Sequence, residues 1–329
     1  NIGELFNTGS RFDSAIDDPC NNYQASGNAA LIANCQALLV PANFNQLNQQ
    51  ISVQTGGNPT LVPETSDTYT IGLGYSPSWA KNASWIEDLT FDVNYYNIKL
   101  DDAIQAPSAQ AQLVSCVQTL APAFCDGIVR GPGGAVIAFA NQLTNIGGVE
   151  TEGFDWTFTL STPEFGFGSL RFTWANTYLA GYKEFTAGAT PGSVVESERA
   201  GIELGSPIRG YVRYKSTLAT DWQKGDFVTS LTLRYLSALD ANCPAAAASQ
   251  NLCSDPANGI DELDAKVFAD LQVAWSPTLW DQAVQFALGI NNILDEDPPP
   301  CRACDLNNYD GTIYPIPGRY IHARAAIKF

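Results

Sequence analysis

The sequence predicts an all-β protein, an antiparallel transmembrane β-barrel that crosses a membrane on its strands. Three observations carry this expectation. Segment after segment alternates apolar and polar residues with a period of two, the connections between them are short and long by turns, and no run approaches the roughly 18–20 consecutive apolar residues of a membrane helix.

The strands are read in order along the chain. "DTYTIGLGYS" sets Tyr69, Ile71, Leu73 and Tyr75 against Thr70, Gly72, Gly74 and Ser76, and "LTFDVNYY" sets Leu89, Phe91, Val93 and Tyr95 against Thr90, Asp92, Asn94 and Tyr96. "FDWTFTL" and "LRFTW" then place Phe154, Trp156, Phe158, Leu160, Leu170, Phe172 and Trp174 on apolar faces. A further strand is expected in "IRGYVRYK", where Ile208, Val212 and Tyr214 alternate with Arg209, Tyr211, Arg213 and Lys215. "TSLTLRY", "KVFADLQVAW" and "VQFALGINN" continue the pattern through Leu233, Val273 and Phe286. The terminal "YIHARAAIKF" has Ile321, Ala323, Ala325, Ile327 and Phe329 on one face and Tyr320, His322, Arg324 and Lys328 on the other. With it the chain has about nine strands.

Four connections are short, following residues near 76, 161, 220 and 276. Between them lie long ones at 103–147, 184–205, 241–261 and 294–317, preceded by an irregular segment at 1–66. The 8 cysteines fall as Cys20 with Cys35, Cys116 with Cys125, Cys243 with Cys253 and Cys301 with Cys304, every one in a long connection. Their even number and local spacing point to small disulfide-closed loops in an oxidising compartment. The connectivity is left open at this stage, and zinc is the competing use, although only "CRAC" has a CxxC spacing. Short turns at one end and long loops at the other describe a bacterial outer-membrane barrel with periplasmic turns and extracellular loops, the C-terminus lying in the periplasm. Trp79, Trp85, Trp222, Trp275 and Trp280 gather at the short-turn end, where a girdle of aromatic residues belongs.

Composition excludes several functions. A net charge of −17 argues against a nucleic-acid partner. His322 is the only histidine, so neither a His-based catalytic centre nor a multi-histidine metal site is available, and no enzyme activity or cofactor is expected. "DLNNYDG" has oxygen-bearing residues near calcium-loop spacing but lacks the closing Glu, which favours a turn. The absence of Met and the start at Asn1 without an apolar leader lead us to expect a processed or partial chain.

Several blocks resemble the TonB-dependent outer-membrane receptors over essentially the whole chain. "NIGELF", "GGNPTLVPETSDTYTIGLGYSP", "FDVNYYNIKLDDAI", "NIGGVETEGFDW", "GINNILDEDPP" and the final Phe329 occur in the order the family shows. The resemblance implies the C-terminal part of a barrel of roughly 22 strands, residues 1–329 forming one domain with the plug and earlier strands absent from the chain. It implies energy-coupled uptake of a scarce, bulky nutrient such as a siderophore or carbohydrate. The partners would be outer-membrane lipid, the TonB complex through the plug, the barrel-assembly machinery, and a small-molecule or oligosaccharide ligand. The alternate apolar residues leading to Phe329 resemble the signal by which such barrels are recognised for insertion. Arg209, Arg213 and Arg234, with Tyr182 and Tyr309 in or beside the loops, are the candidates for the lumen and ligand path. Phe44 and Phe185 are further loop aromatics. The alternatives are a non-energised surface barrel, either porin or adhesin, and an outer-membrane hydrolase that would depend on His322.

Overall fold

The computed structural model describes all residues except 1, 8, 49, 106–108, 146, 188–193, 205–209, 280–281, 305–307, 316–317 and 329. Nine long strands build the main sheet: β1 (Thr65–Tyr75), β2 (Asp88–Asp101), β3 (Gly148–Ser161), β4 (Ser169–Ala187), β5 (Tyr214–Lys224), β6 (Phe227–Leu236), β7 (Lys266–Trp275), β8 (Gln282–Asn291) and β9 (Tyr320–Lys328). Each is hydrogen-bonded to the next in chain order, and short strands at Val194–Glu198 and Thr278–Leu279 bring the sheet to 11 strands. Among the described residues no ladder joins β1 to β9, so this is an open portion of barrel wall.

Register turns separate alternations into one continuous face. Because antiparallel partners point to the same side, the pairs Trp174↔Leu218, Leu218↔Leu233, Leu233↔Ala269, Val273↔Leu288 and Leu288↔Ala323 carry the apolar surface from β4 to β9. That surface is open to the surroundings, with Ile321 62% and Ile327 55% exposed. Strands β5 to β8 are 10 or 11 residues long, close to the roughly 9–11 residues with which a tilted strand crosses the hydrocarbon layer. Aromatic residues edge the apolar face twice. At the short-turn end Phe227, Trp275 and Phe286 stack in sequence at 6.0 and 5.9 Å, and Trp222 Nε1 donates to Phe167 O. Trp79 and Trp85 are exposed, while Trp280 lies outside the described residues. The second edge, which composition did not reveal, joins Trp156, Tyr214 and Tyr235 at 5.9 and 5.8 Å. Two polar tips there are satisfied within the sheet: Tyr214 Oη donates to Asn176 Oδ1 and Trp174 Nε1 to Ser216 Oγ.

The chain divides into two compact units. One comprises Thr68–Asn97, Thr151–Tyr182 and Glu198–Phe329, and contains most of the sheet. Its connections have their own core of Val212, Leu239, Ala241 and Leu263 against the bonded Cys301–Cys304 pair, with a Cys243–Cys253 bond nearby in sequence. This corrects the expected strand at 208–215. Strand β5 begins only at Tyr214, and Val212 is buried in the loop core rather than on the membrane face. The alternation was real, but a loop core can bury alternate residues as well as a lipid face can. Tyr314 is also buried here, its Oη without a hydrogen bond to any described residue, and burial with Glu203 and Asp310 nearby pushes its pKa up to about 12.

The other unit comprises Asn1–Asp67, Ile98–Glu150 and Lys183–Ser197. Its first and middle segments, expected to be irregular, hold a four-stranded sheet of Ser10–Ala15, Gln50–Gly56, Val136–Gln142 and Ile128–Arg130, with the central pair parallel. The helix Ala29–Ala37 starts at Asn28, whose Oδ1 accepts from the amides of Ala30 and Leu31. Its core gathers Ile16, Tyr23, Val53, Leu113 and Phe139, and Phe44 belongs to that core rather than to a ligand surface. Cys20–Cys35 and Cys116–Cys125 are bonded. Arg130 holds the buried Asp18 carboxylate with two nitrogens, at 2.5 and 3.0 Å, so neither charge is left alone.

Two outcomes are expected. A Cβ on Gly153 would lie 2.5 Å from Tyr178 O and 2.6 Å from Tyr96 Oη. Gly153→Val should therefore destabilise the folded barrel by about 1–3 kcal/mol, seen as a lower urea midpoint for loss of the compact, heat-modifiable gel form. Tyr314 is neutral in the folded protein well above pH 10, whereas the unfolded chain ionises it near 10. Its contribution to stability is thus complete below about pH 10 and is lost as pH rises toward about 12. Tyr314→Phe should remove that part of the alkaline loss, measured as the unfolding midpoint at pH 9 and pH 11.

Candidate functional site

The polar face of the sheet is built by the same register that builds the apolar one. Arg171 stands opposite Asp221, which accepts from Ser230 Oγ at 2.5 Å, and Thr177 Oγ1 donates to Asp155 at 2.6 Å. Further along, Arg234 Nη2 donates to Asp270 Oδ2 at 3.0 Å from the neighbouring strand. Cross-strand pairing of opposite charge neutralises this face locally.

Around Arg234 the face opens into a cavity of about 460 Å³ lined by Thr232, Arg234, Asp270, Asn291, Pro315 and Tyr320 among others. The guanidinium is held from two sides: Asp270 binds one nitrogen, and the buried Phe268 ring lies 5.8 Å from the guanidinium carbon. Arg234 Nε is buried and makes no hydrogen bond to any described residue. Asp270 is fixed in turn, its Oδ1 accepting from Asn292 N at 2.8 Å. Asn292 itself is occupied, because its amide donates to Glu296 O and its Oδ1 accepts from Glu296 N. Tyr320 is 55% exposed and stacks on His322 at 5.9 Å, and a Cβ on Gly289 would collide with that imidazole, so the His322 ring lies against bare backbone.

The residues expected to matter are distributed as follows. Arg234 lines the cavity, but Arg213 is committed elsewhere: its guanidinium donates to Ala180 O at 3.0 Å and Ala200 O at 2.7 Å and ties strand β4 to the connection that follows it. Arg209 lies outside the described residues. Tyr182 stacks on Tyr211 at 4.2 Å, and Tyr309 is half-buried in the last long connection. In "DLNNYDG" the buried Asp310 accepts from the amides of Thr312 and Gly210, as a turn-forming carboxylate does. Ile321, Ala323, Ala325 and Ile327 are on the exposed apolar face, and Phe329 lies outside the described residues. Asp270, Asn291 and Tyr320 were not singled out from sequence. All three sit at polar positions of predicted strands, but only the cross-strand register brings them to Arg234. Among the described residues no cluster of three or more His, Cys, Asp or Glu is placed to hold a metal ion.

Comparison with solved structures gives the same architecture at low sequence identity. A mutant of the ferric enterobactin receptor PfeA from Pseudomonas aeruginosa aligns with a TM-score of 0.51 at 17% identity, over 85% of this chain and 33% of the receptor. The siderophore receptor PirA from Acinetobacter baumannii aligns with a TM-score of 0.51 at 17% identity, over 86% of this chain and 34% of that one. At such identity the likeness is one of fold, and the chain spans about a third of the length of these receptors. No curated protein sequence matches the chain closely. The family model described as "TonB dependent receptor-like, beta-barrel" matches residues 2–293, and with that span and the antiparallel barrel wall the chain belongs to the TonB-dependent receptor β-barrel family.

Proposed function

We propose that the chain forms barrel wall and outer loops of a receptor that imports a scarce, bulky nutrient across the outer membrane with energy delivered by TonB. The family match over residues 2–293 carries this reading. The fold neighbours are described as siderophore receptors, which makes an iron chelate one ligand class; a carbohydrate is the other class that the family resemblance implies. In this reading the long, disulfide-closed connections face the exterior and capture ligand, while the short turns and the C-terminus face the periplasm. The apolar face of β4 to β9 meets lipid and the polar face lines the lumen. In the family pattern TonB acts through a plug. No covalent chemistry is required of any residue; selection rests on hydrogen bonding and shape in the loops and along the lumen wall. Ile321, Ala323, Ala325, Ile327 and Phe329 act earlier, as the strand by which the assembly machinery recognises the barrel.

Uptake tests the reading. Cells expressing the full receptor polypeptide should accumulate the cognate nutrient, and dissipating the proton gradient or removing TonB should return uptake to the level of cells without the receptor. Uptake indifferent to both would identify a passive pore. For the terminal strand, removal of Phe329 should reduce the membrane-inserted, heat-modifiable species while leaving synthesis unchanged; wild-type amounts of inserted protein would exclude a recognition role.

A further inference from the structure

We propose that the cavity around Arg234 is a binding subsite for a neutral saccharide, held by Arg234, Asp270 and Asn291 against the ring of Tyr320. The inference rests on the uptake reading and names its ligand class. Four features of the site lead to it.

The first is charge. A polyanionic ligand needs cations free to meet it, yet the guanidinium here is already matched by Asp270 at 3.0 Å. An anion would have to displace that carboxylate or sit beside it, and the chain as a whole carries −17. A neutral ligand meets no such opposition.

The second is the pattern of donors and acceptors. Asp270 uses one lone pair of Oδ1 for Asn292 N and one of Oδ2 for Arg234, which leaves each oxygen with capacity to accept another bond. Arg234 keeps N–H groups on its terminal nitrogens beyond the one that Asp270 takes, while its Nε is buried and faces away from a ligand. A fixed acceptor beside a fixed donor complements a pair of neighbouring hydroxyl groups, one donating to the carboxylate and the other accepting from the guanidinium. Vicinal hydroxyls are what a sugar ring presents. Asn291 adds an exposed amide with both functions, and Thr232 a hydroxyl.

The third is the ring. Tyr320 is on the polar face, where an aromatic side chain is not needed for contact with lipid, and is 55% exposed while stacked on His322. An aromatic surface beside planar polar groups offers the C–H face of a pyranose an apolar partner and its edge a set of hydrogen bonds. The fourth is rigidity. Phe268 lies against Arg234, Asn292 locks Asp270, and Gly289 lets His322 lie close beneath the sheet's polar surface, so little side-chain freedom remains to be lost on binding. A cavity of about 460 Å³ is within the roughly 300–1,000 Å³ of small-molecule sites.

The test uses the full receptor polypeptide in detergent and an array of neutral oligosaccharides built from glucose, xylose, mannose and galactose, with uronate-containing oligosaccharides and a ferric catecholate chelate as the charged comparison. At least one neutral glycan should bind. Tyr320→Ala and Asp270→Asn should each weaken it by about tenfold or more, and Tyr320→Phe should retain it. Because Asp270→Asn leaves Arg234 unmatched, it should also raise affinity for the uronate series, a reversal that mere loss of folding would not produce. Heat-modifiable migration verifies that each variant is folded. Binding of the chelate alone, or glycan binding unchanged by both Tyr320→Ala and Asp270→Asn, overturns the inference. If no glycan binds but TonB-dependent uptake of another solute persists, the saccharide site fails and the uptake reading stands. If glycan binds as expected but cells show no energised uptake, the site stands and the uptake reading fails.

Discussion

The constraint on which the rest of this structure depends is that a peptide group surrounded by hydrocarbon has no water to bond with, so its N–H and C=O must find each other. A meander of antiparallel strands meets that demand between neighbours in sequence, and β4 to β9 do so with ladders that run strand by strand. Everything else about the wall follows from the pleat. Once the backbone is committed to the ladder, side chains have only two directions, and the two solvents sort them: Leu218, Leu233 and Leu288 toward lipid, Asp221, Arg234 and Asp270 away from it. The aromatic residues at both ends of the apolar face mark where one solvent gives way to the other, with rings in the apolar layer and polar tips bonded within the sheet.

Beyond the ends of the strands that demand lapses, and the chain uses a different economy of structure. The connections fold around small cores of their own, one under Val212 and Leu239 and another around Tyr23 and Leu113. Cores of that size bury little surface, and each is accompanied by cystine bridges that restrict the unfolded chain. The bidentate Asp18–Arg130 pair serves a related purpose in the first of them, tying residues 112 positions apart in sequence through a geometry that a lone charge in that setting would not tolerate.

How much of this was legible in the sequence follows from how local each signal is. Strand β7 was read with its present bounds because Val267, Ala269, Leu271, Val273 and Trp275 keep one apolar face and the ends are marked by charge and by tryptophan, although Phe268 departs from the pattern on the polar face. The start of β5 was not, because Val212 and Tyr214 have the same parity and only tertiary packing sends one into a loop core and the other to the membrane face. The sheet formed by Ser10–Ala15, Gln50–Gly56 and Val136–Gln142 went unread for a similar reason: its central pairing joins strands far apart in the chain, which no short-range pattern announces. Of the candidate arginines, Arg234 stands at the cavity while Arg213 is consumed in holding carbonyls, a difference that depends on which backbone atoms happen to lie within reach. Tyr320 and Asp270 were visible as polar-face residues, but not as neighbours, since their adjacency is a property of two successive registers.

The pairing of opposite charges across the polar face has a consequence for transit. Arg171 opposite Asp221 and Arg234 beside Asp270 place each cation and its counter-charge on adjoining strands at nearly the same depth, so their fields cancel over a distance of about a strand spacing or two. In the uptake reading, a solute passing these two pairs meets short-range dipoles. At those two points its charge is felt only nearby, and the chain's net charge of −17 acts on it from elsewhere.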